Sequence, residues 1–545
     1  MPKVFLFVAI LIATCLGIGI SDPIRAPYLS FLSSILFYGL FFRQIYSLSK
    51  RKRFVISFCW FAIISGIQLY WFATTTYHGP FIVVAYFILL ILLAAQFALF
   101  SLLINKKYFS IRNILALSSL WAVFEWSRLF LFAGYVWNPI GLSLSWHIIP
   151  MQIASVGGVF TMSFIVMSSN LLFFNLINSF TNKKLVLWSA IVVLPIAFGF
   201  VKLALHSYEK GQNLTIAAVQ GGLRVDQKTP YISDQFIHPI KQWEIHLNLI
   251  KDIDKLDMLV FPESVSLFGV TAAVYPVKEI SMMLSSVFGS EIFKHVPSLK
   301  DKRMAQKSGA EWFVSNAFIG QTLANYFKAD VIMGLEDSDN NNFYNAAFHF
   351  THNSNQYNRY IKQVLVPVSE YLPAIGFASV AKKYGISNFF IPGDGSKVFQ
   401  GKLPLSLSVC YEECFGNLMR KNKKKGAKIF INVTNDAWFP NSSLPQIHFA
   451  HARLRSVEMG VPVIRSCNTG VTAILDSFGK VCSKVDGEGA GVAFCQLNCH
   501  SYPTLYSRFG DGVVLLPSAL FLSLYFIPLW RVRFCQFYLQ KIRLE

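Results

Sequence analysis

Charge is what this sequence has least of. Only 14% of its 545 residues are Asp, Glu, Lys or Arg, against 54% hydrophobic residues, a balance that argues against a soluble protein of this size. Acidic residues are scarcer still outside one region. Asp22, Glu125 and Glu545 are the only three beyond His206–Asp511, where eighteen Lys and Arg accompany them. A nucleic-acid binder concentrates basic charge on a folded domain. Here His206–Asp511 is nearly balanced, with 31 basic and 26 acidic residues, so no nucleic-acid partner is expected. There is no internal repeat and no low-complexity stretch. Metal-ligand spacing is also missing. His448 and His451 would share a helix face, but the sequence sets no carboxylate or third ligand beside them, and His238 stands alone. Cys495 and Cys499-His500 have no second cysteine pair at zinc spacing. Neither metal nor cofactor is expected.

Long apolar runs take the place of charge. Eight stretches are long enough to cross a bilayer of about 30 Å at 1.5 Å per residue. They are Val4–Ile20, Tyr28–Tyr46, Phe54–Phe72, Phe81–Ile104, Ile114–Val136, Ile153–Ile177, Val186–Leu205 and Val513–Leu529. The first has the outline of a lipoprotein signal peptide ending at Ile12-Ala13-Thr14-Cys15, but Thr14 is bulkier than the small residue such a site carries, so a retained helix is expected. Lys3, Lys50-Arg51-Lys52-Arg53, Lys106, Lys107, Arg112, Lys183, Lys184, Arg531, Arg533, Lys541 and Arg543 fall on one side of this arrangement, and the opposite short loops contain Arg25 alone. Basic loops stay inside. Both termini are therefore expected in the cytoplasm, with the large domain outside, in the periplasm of a two-membrane bacterium. The expected organisation is a seven-helix membrane domain at 1–207, an outer domain at 208–508, and a last transmembrane helix with its tail at 509–545. Glu125 and Arg128, three apart on the fifth helix, are charges inside a membrane, which are costly. A functional role and a structural ion pair clamping the helix end both remain open.

The outer domain reads as alternating strands and helices. Leu214–Val219, Met258–Phe261 and Lys428–Val433 have buried-strand patterns, and Val463-Ile464-Arg465 follows a helix at Gln446–Met459. Leu403, Leu405, Leu407 and Val409 alternate with Pro or Ser as in a half-buried strand. Gly269–Asn316 has apolar stretches without a clean period and is expected to hold loops or arms near the membrane surface. α/β folds place their chemistry at strand ends. Three polar residues fit: Glu263 after Phe261-Pro262, Lys362 in Arg359–Val364, and Cys410, which closes Leu405–Val409 and opens an expected helix from Tyr411. Singly, each has a structural explanation as a cap, a snorkelling lysine or a packed thiol. Together they are more specific.

Phe261-Pro262-Glu263, the lysine before Val366-Pro367-Val368-Ser369-Glu370-Tyr371, and Val409-Cys410-Tyr411-Glu412 resemble the Glu–Lys–Cys signature of the nitrilase superfamily. Leu120–Arg128 with Gly134 and Trp137-Asn138-Pro139 resembles the fifth helix of apolipoprotein N-acyltransferases. Ala218–Gly221, Thr434–Phe439 and Arg465–Gly470 resemble that family too. The resemblance implies a multi-pass α-helical membrane protein of about eight helices carrying a nitrilase-like α/β domain, an αββα sandwich, in the bacterial inner membrane. It also implies transfer of a fatty acyl chain from a phospholipid to the amino terminus of a diacylglyceryl-cysteine apolipoprotein. The stretch from Glu263 to Lys362 is long for the family, and Val368-Ser369 stands where Phe-Gly is usual.

Under that resemblance Glu263 is the base for the Cys410 thiol, whose expected place at a helix N-terminus favours the thiolate. Lys362 and the Tyr411 backbone N–H would stabilise the oxyanion, worth on the order of 3 kcal/mol per donor. Glu370 orients Lys362 or tunes its charge. Glu412 is a supporting candidate, with a first-turn dipole carboxylate as its structural alternative. Asn435, Asp436 and Trp438 are candidates for shaping a substrate loop, a role that a simple Asn-Asp turn explains as well. A membrane-tethered amidase using the same three residues is the alternative enzyme, and a transporter or receptor with a degenerate domain the non-enzymatic one. Besides Cys410, the outer domain holds Cys414, Cys467, Cys482, Cys495 and Cys499, an odd number, so at least one stays unpaired.

Overall fold

The computed structural model describes residues 2–104, 110–131, 134–206, 210–230, 233–339, 342–354, 356–367, 369–371 and 390–526. Lys106, Lys107, Val368, Leu372, Arg531, Arg533, Lys541, Arg543 and the end of the eighth apolar stretch lie outside them. The chain divides into two compact units, Met1–Ser207 with Thr504–Glu545, and Tyr208–Pro503.

The first unit is helical. Among the described residues, four helices are long and apolar enough to cross a membrane: Pro27–Ile45, Ile82–Ser101, Ala154–Asn178 and Asn182–His206. Val4–Gly19 and Gly512–Phe526 are shorter apolar helices. The expected third and fifth stretches form the helices Lys50–Gln68 and Ile111–Ser127, which carry more charge. The fifth corrects the expectation of a continuous span to Val136: its helix ends at Ser127, and the chain resumes regular structure only in a 3-10 turn at Ile140–Trp146.

That break has a physical cause. Glu125 is buried at 2% exposure, and its Oε1 accepts hydrogen bonds from Trp121 Nε1 at 3.0 Å and from the Ile140 backbone N–H at 2.9 Å. The carboxylate thus ties the returning segment back to the helix. Arg128 lies 3.9 Å from Glu125 and donates to Gln96 Oε1 at 2.8 Å. A second polar side chain repairs a looser stretch. Ser33–Phe37 is one π-helical turn, which disturbs the regular backbone ladder. Asn170 donates to the Ser33 and Ser34 carbonyls and accepts from the Gly39 N–H at 3.1 Å. Around these groups aromatic side chains fill the unit, with Phe41 stacked on Trp60 at 3.8 Å and Phe61 on Phe97 at 4.5 Å.

The second unit contains fourteen described strands: β1 (Gln212–Gln220), β2 (Met258–Val260), β3 (Tyr275–Pro276), β4 (Ala305–Ser308), β5 (Glu311–Val314), β6 (Asp330–Asp339), β7 (Asn342–Phe350), β8 (Asn358–Ile361), β9 (Leu405–Val409), β10 (Ile429–Thr434), β11 (Val463–Cys467), β12 (Gly470–Leu475), β13 (Val481–Gly487) and β14 (Gly491–Cys499). They form a six-stranded sheet ordered β14-β1-β2-β6-β7-β8, a five-stranded sheet ordered β13-β12-β11-β10-β9, and a small sheet β3-β5-β4. Three neighbouring strands of each large sheet are parallel: β1-β2-β6 in one and β9-β10-β11 in the other.

Alternation along the strands builds the layers. Ile216 and Ala218 of β1, Met258 and Val260 of β2, Leu407 and Val409 of β9, and Ile431 and Val433 of β10 share one core between the two large sheets. Ala217, Val219, Leu259 and Phe261 face the opposite way, into a core with Trp243, Leu284 and Leu323 of the flanking helices Pro239–Asn248, Val277–Phe288 and Asn316–Phe327. Helix Leu444–Met459 covers the other sheet. The result is a helix–sheet–sheet–helix sandwich.

Two local expectations need correction. Gly269–Asn316 holds more regular structure than expected: between its turns it builds the three-stranded sheet and helix Val277–Phe288, whose apolar face closes the outer core. β9 is not half-buried. Ser406 and Ser408 are 1% and 2% exposed, because buried amides satisfy their hydroxyls: Asn422 Nδ2 donates to Ser406 Oγ at 2.6 Å and Asn432 Nδ2 to Ser408 Oγ at 3.0 Å. Burial without partners would cost one to three kcal/mol per group, roughly.

Candidate active site

The ends of β2, β7, β8 and β9 converge on one polar cluster. Glu263 is the third residue after β2, Lys362 follows β8 directly, and Cys410 follows β9 directly. All three sit where the inter-sheet core opens. Lys362 is fully buried and Glu263 is 6% exposed. The Lys362 ammonium lies 2.8 Å from Glu370 Oε1 and 3.8 Å from Glu263 Oε1. The half-buried Cys410 thiol lies within electrostatic reach of Glu263 and Lys362. The structure therefore brings together four of the residues singled out in the sequence.

A fifth member was missed. Asn345 on β7 donates from Nδ2 to Glu263 Oε1 at 2.7 Å and to Glu370 Oε1 at 2.9 Å, and its backbone carbonyl accepts the Lys362 N–H at 2.9 Å. Its signal was available: it is the one amide within Phe343–Phe350, a mostly apolar run where a buried polar group needs a partner.

Backbone shape aims these groups. Cys410 has φ of +53° and Ser264, next to Glu263, has φ of +48°, a left-handed conformation that side chains other than glycine adopt at a cost of order 1–3 kcal/mol. Asn432 holds the Cys410 carbonyl at 3.1 Å. After Cys410 the chain forms one 3-10 turn, Cys410–Cys414, before helix Gly416–Lys424. The expected helix at Tyr411 is thereby corrected, and with it the dipole argument for the thiolate, since five residues supply little macrodipole.

Electrostatics agree with that correction. Burial pushes the Cys410 thiol up to about 12, with Glu263 adding to the rise and Lys362 opposing it. Burial also raises Glu263, against the pull of Lys362. Burial acts to lower Lys362, but Glu370, Cys410 and Glu263 outweigh it and hold the ammonium charged. The resting pair is thus a neutral thiol beside a carboxylate of increased basicity.

Glu412 serves the scaffold. Its carboxylate accepts from the Val409, Gln363 and Val364 N–H groups at 2.8, 2.6 and 3.1 Å and from the Tyr360 hydroxyl at 3.0 Å, tying the Cys410 strand to the Lys362 strand. Burial raises it to about 7, partly countered by those N–H donors. Tyr411 packs its ring against Phe415 at 4.9 Å. Asn435 accepts from the Ala437 N–H and from Asn468, and Trp438 is 38% exposed on the following turn. Asp436 is buried and ion-paired, 3.0 Å from Arg465 and 2.9 Å from His448, an arrangement that occupies its carboxylate internally. Glu413 lies 2.7 Å from Arg465 and 2.9 Å from His448. The sequence set no carboxylate beside His448; folding sets two there, with Arg465 as the neutralising cation.

A thiol, a base and a fixed ammonium in one recess can carry out nucleophilic acyl transfer. The sequence matches the carbon-nitrogen hydrolase family over residues 215–503 and the apolipoprotein N-acyltransferase N-terminal domain over residues 15–172. It is 31% identical to an apolipoprotein N-acyltransferase of Chlamydia pneumoniae, the match covering 95% of each chain. Identity to the apolipoprotein N-acyltransferase of Rickettsia prowazekii is 26%, over 87% of each chain. Among solved structures, Saccharomyces cerevisiae Nit3, a member of branch 10 of the nitrilase superfamily, aligns at 17% identity with a TM-score of 0.36, covering 53% of this chain and 91% of that one. The chain belongs to the apolipoprotein N-acyltransferase family, enzymes of the carbon-nitrogen hydrolase superfamily.

Proposed function

We propose that this enzyme moves a fatty acyl chain from a phospholipid to the terminal amine of a diacylglyceryl-cysteine apolipoprotein, through a thioester on Cys410. The observation that carries the reading is the gathering of the Cys410 thiol, the Glu263 carboxylate and the Lys362 ammonium at adjoining strand ends, in a chain that also has helices apolar enough to cross a membrane.

Glu263 takes the thiol proton as sulfur attacks the donor ester carbonyl. Lys362 and the Tyr411 N–H stabilise the resulting oxyanion. Collapse breaks the ester C–O bond, Glu263 returns the proton to the leaving lysophospholipid oxygen, and an acyl group remains on sulfur. The acceptor amine then attacks the thioester, Glu263 accepts its proton, and the thiol leaves with an amide formed. Two half-reactions through one covalent intermediate give ping-pong kinetics. Glu370 orients Lys362, and Asn435 and Trp438 shape a substrate loop beside the site.

The proposal extends to the setting: eight transmembrane helices in a bacterial inner membrane, both termini cytoplasmic, with 208–508 as the periplasmic catalytic domain. Charge asymmetry between loops supports this orientation.

The test is incubation of the purified protein with labelled phospholipid and mass spectrometry of Cys410. An acyl adduct that is absent in Cys410→Ala is expected, and its transfer to a diacylated lipopeptide rather than to water. Equal labelling of both proteins sinks the mechanism; release to water alone identifies an amidase-like hydrolase instead.

A further inference from the structure

The register of the six-stranded sheet places one more carboxylate at this site. Glu336 on β6 pairs directly with Asn345 on β7, and Asn345 in turn holds the Lys362 N–H on the far side. Residues opposite one another in an antiparallel pair project from the same face, with Cβ atoms about 5 Å apart. The Asn345 amide reaches Glu263 and Glu370, so Glu336 faces the same recess. Gly334, two residues earlier on that face, confirms the direction: a Cβ there would meet the Glu263 Cα at 2.5 Å. Unlike Asn345, Lys362 and Glu370, which are buried, Glu336 is exposed to solvent. Among the described residues it makes no ion pair within 4.0 Å. It stands at the mouth.

Charge at the recess is unbalanced. Glu263, Glu370 and Glu336 face two cations, Lys362 and Lys228. Lys228 is itself buried and donates to the Ser264 carbonyl. One further cation would neutralise the excess, and it would have to be small enough to enter from solvent.

We propose that Glu336 is the docking group for the cationic amine of the acyl acceptor, holding an α-ammonium beside the Cys410 thioester; one proton passes to solvent to give the free amine, and Glu263 takes the second during attack and returns it to the departing thiolate. This rests on the acyl-transfer reading and adds to it the residue that receives the second substrate. A phospholipid donor has no need of that carboxylate for attack at its ester, so Glu336 acts on one half-reaction more than the other.

The experiment uses the full-length protein in detergent micelles, with labelled phosphatidylglycerol, whose headgroup carries no amine, as donor. Thioester formation is followed by intact-protein mass spectrometry without acceptor, and single-turnover transfer is then measured against the concentration of a synthetic diacylated lipopeptide. In Glu336→Gln the lipopeptide concentration for half-maximal transfer rises about tenfold, as expected for losing one solvent-accessible charge-assisted contact, and Glu336→Asp recovers part of it. Hydroxylamine, uncharged at neutral pH, releases the acyl group at equal rates from the wild type and Glu336→Gln, which a general distortion of the site would not allow. An unchanged lipopeptide dependence in Glu336→Gln, or an equal loss with hydroxylamine, overturns the proposal while leaving acyl transfer intact. A wild type that forms no thioester overturns the acyl-transfer reading and this one with it.

Discussion

Asn345 donates one amide to two carboxylates, Glu263 Oε1 at 2.7 Å and Glu370 Oε1 at 2.9 Å. Without it two buried acids would share the Lys362 ammonium alone. The amide fixes which oxygen of each faces the lysine and leaves Glu263 turned to the thiol.

Asn345→Asp sets a third acid among these two. Thioester formation is expected to fall at least about a hundredfold, the scale on which small misplacements of catalytic groups act. Asn345→Ala, which removes the donor without adding charge, is expected to fall less. Rates of Cys410 acylation in the two variants check the order.

Gly334 is required by contact rather than by backbone conformation. The Cβ of Gly334→Ala would lie 2.5 Å from the Glu263 Cα, so one backbone must shift. Overpacking of this kind costs about 1–3 kcal/mol. A lower unfolding temperature together with a larger loss of acylation is expected; unchanged acylation would contradict the contact.

The pH dependence follows from two upward shifts. Burial raises Glu263 above the usual carboxylate range, so the base is lost on acidification earlier than an ordinary glutamate would be. Cys410 is pushed up to about 12, so its thiol does not ionise by itself at pH 8–9. Cys410 acylation should decline as pH falls through the Glu263 transition, with no rise near the usual thiol pKa of about 8.5. A rate climbing with that alkaline midpoint would show that the thiol acts without its base.

Arg465 neutralises Glu413 and Asp436 in the interior, at 2.7 and 3.0 Å. Arg465→Met leaves these acids with His448 alone and is expected to cost about 3–5 kcal/mol, as breaking a buried pair does. Burial acts to raise both carboxyls, but Arg465 and His448 outweigh it and hold them below their usual range. Their stabilisation is therefore present above the unfolded carboxylate pKa and lost as pH falls towards the lower folded one. Denaturant titrations from neutral to acidic pH should show the wild type keeping this advantage over Arg465→Met until the acids protonate.

Much of the site was legible because strand ends are legible. Phe261-Pro262-Glu263 and Leu405–Cys410 each read as an apolar strand followed by a polar residue, and both are so in the fold. The shape after Cys410 was not. Tyr411–Phe415 has the composition of a first helical turn, but the Glu412 carboxylate binds the Val409, Gln363 and Val364 N–H groups. Two of those partners come from a segment some fifty positions away, and the turn stays 3-10. β9 misled for a related reason: its serines look solvent-facing until Asn422 and Asn432 arrive to satisfy them.

By itself the sequence determined the apolar stretches, the balanced outer domain and the Glu263, Lys362 and Cys410 set, because hydrophobic period, charge scarcity and strand-end polarity are local properties. Only the tertiary structure decided that the thiol is half-buried and neutral, that Asn345 joins the two acids, and that Glu336 shares their face. Those outcomes depend on cross-strand register and on desolvation, and both are set by residues distant in the chain.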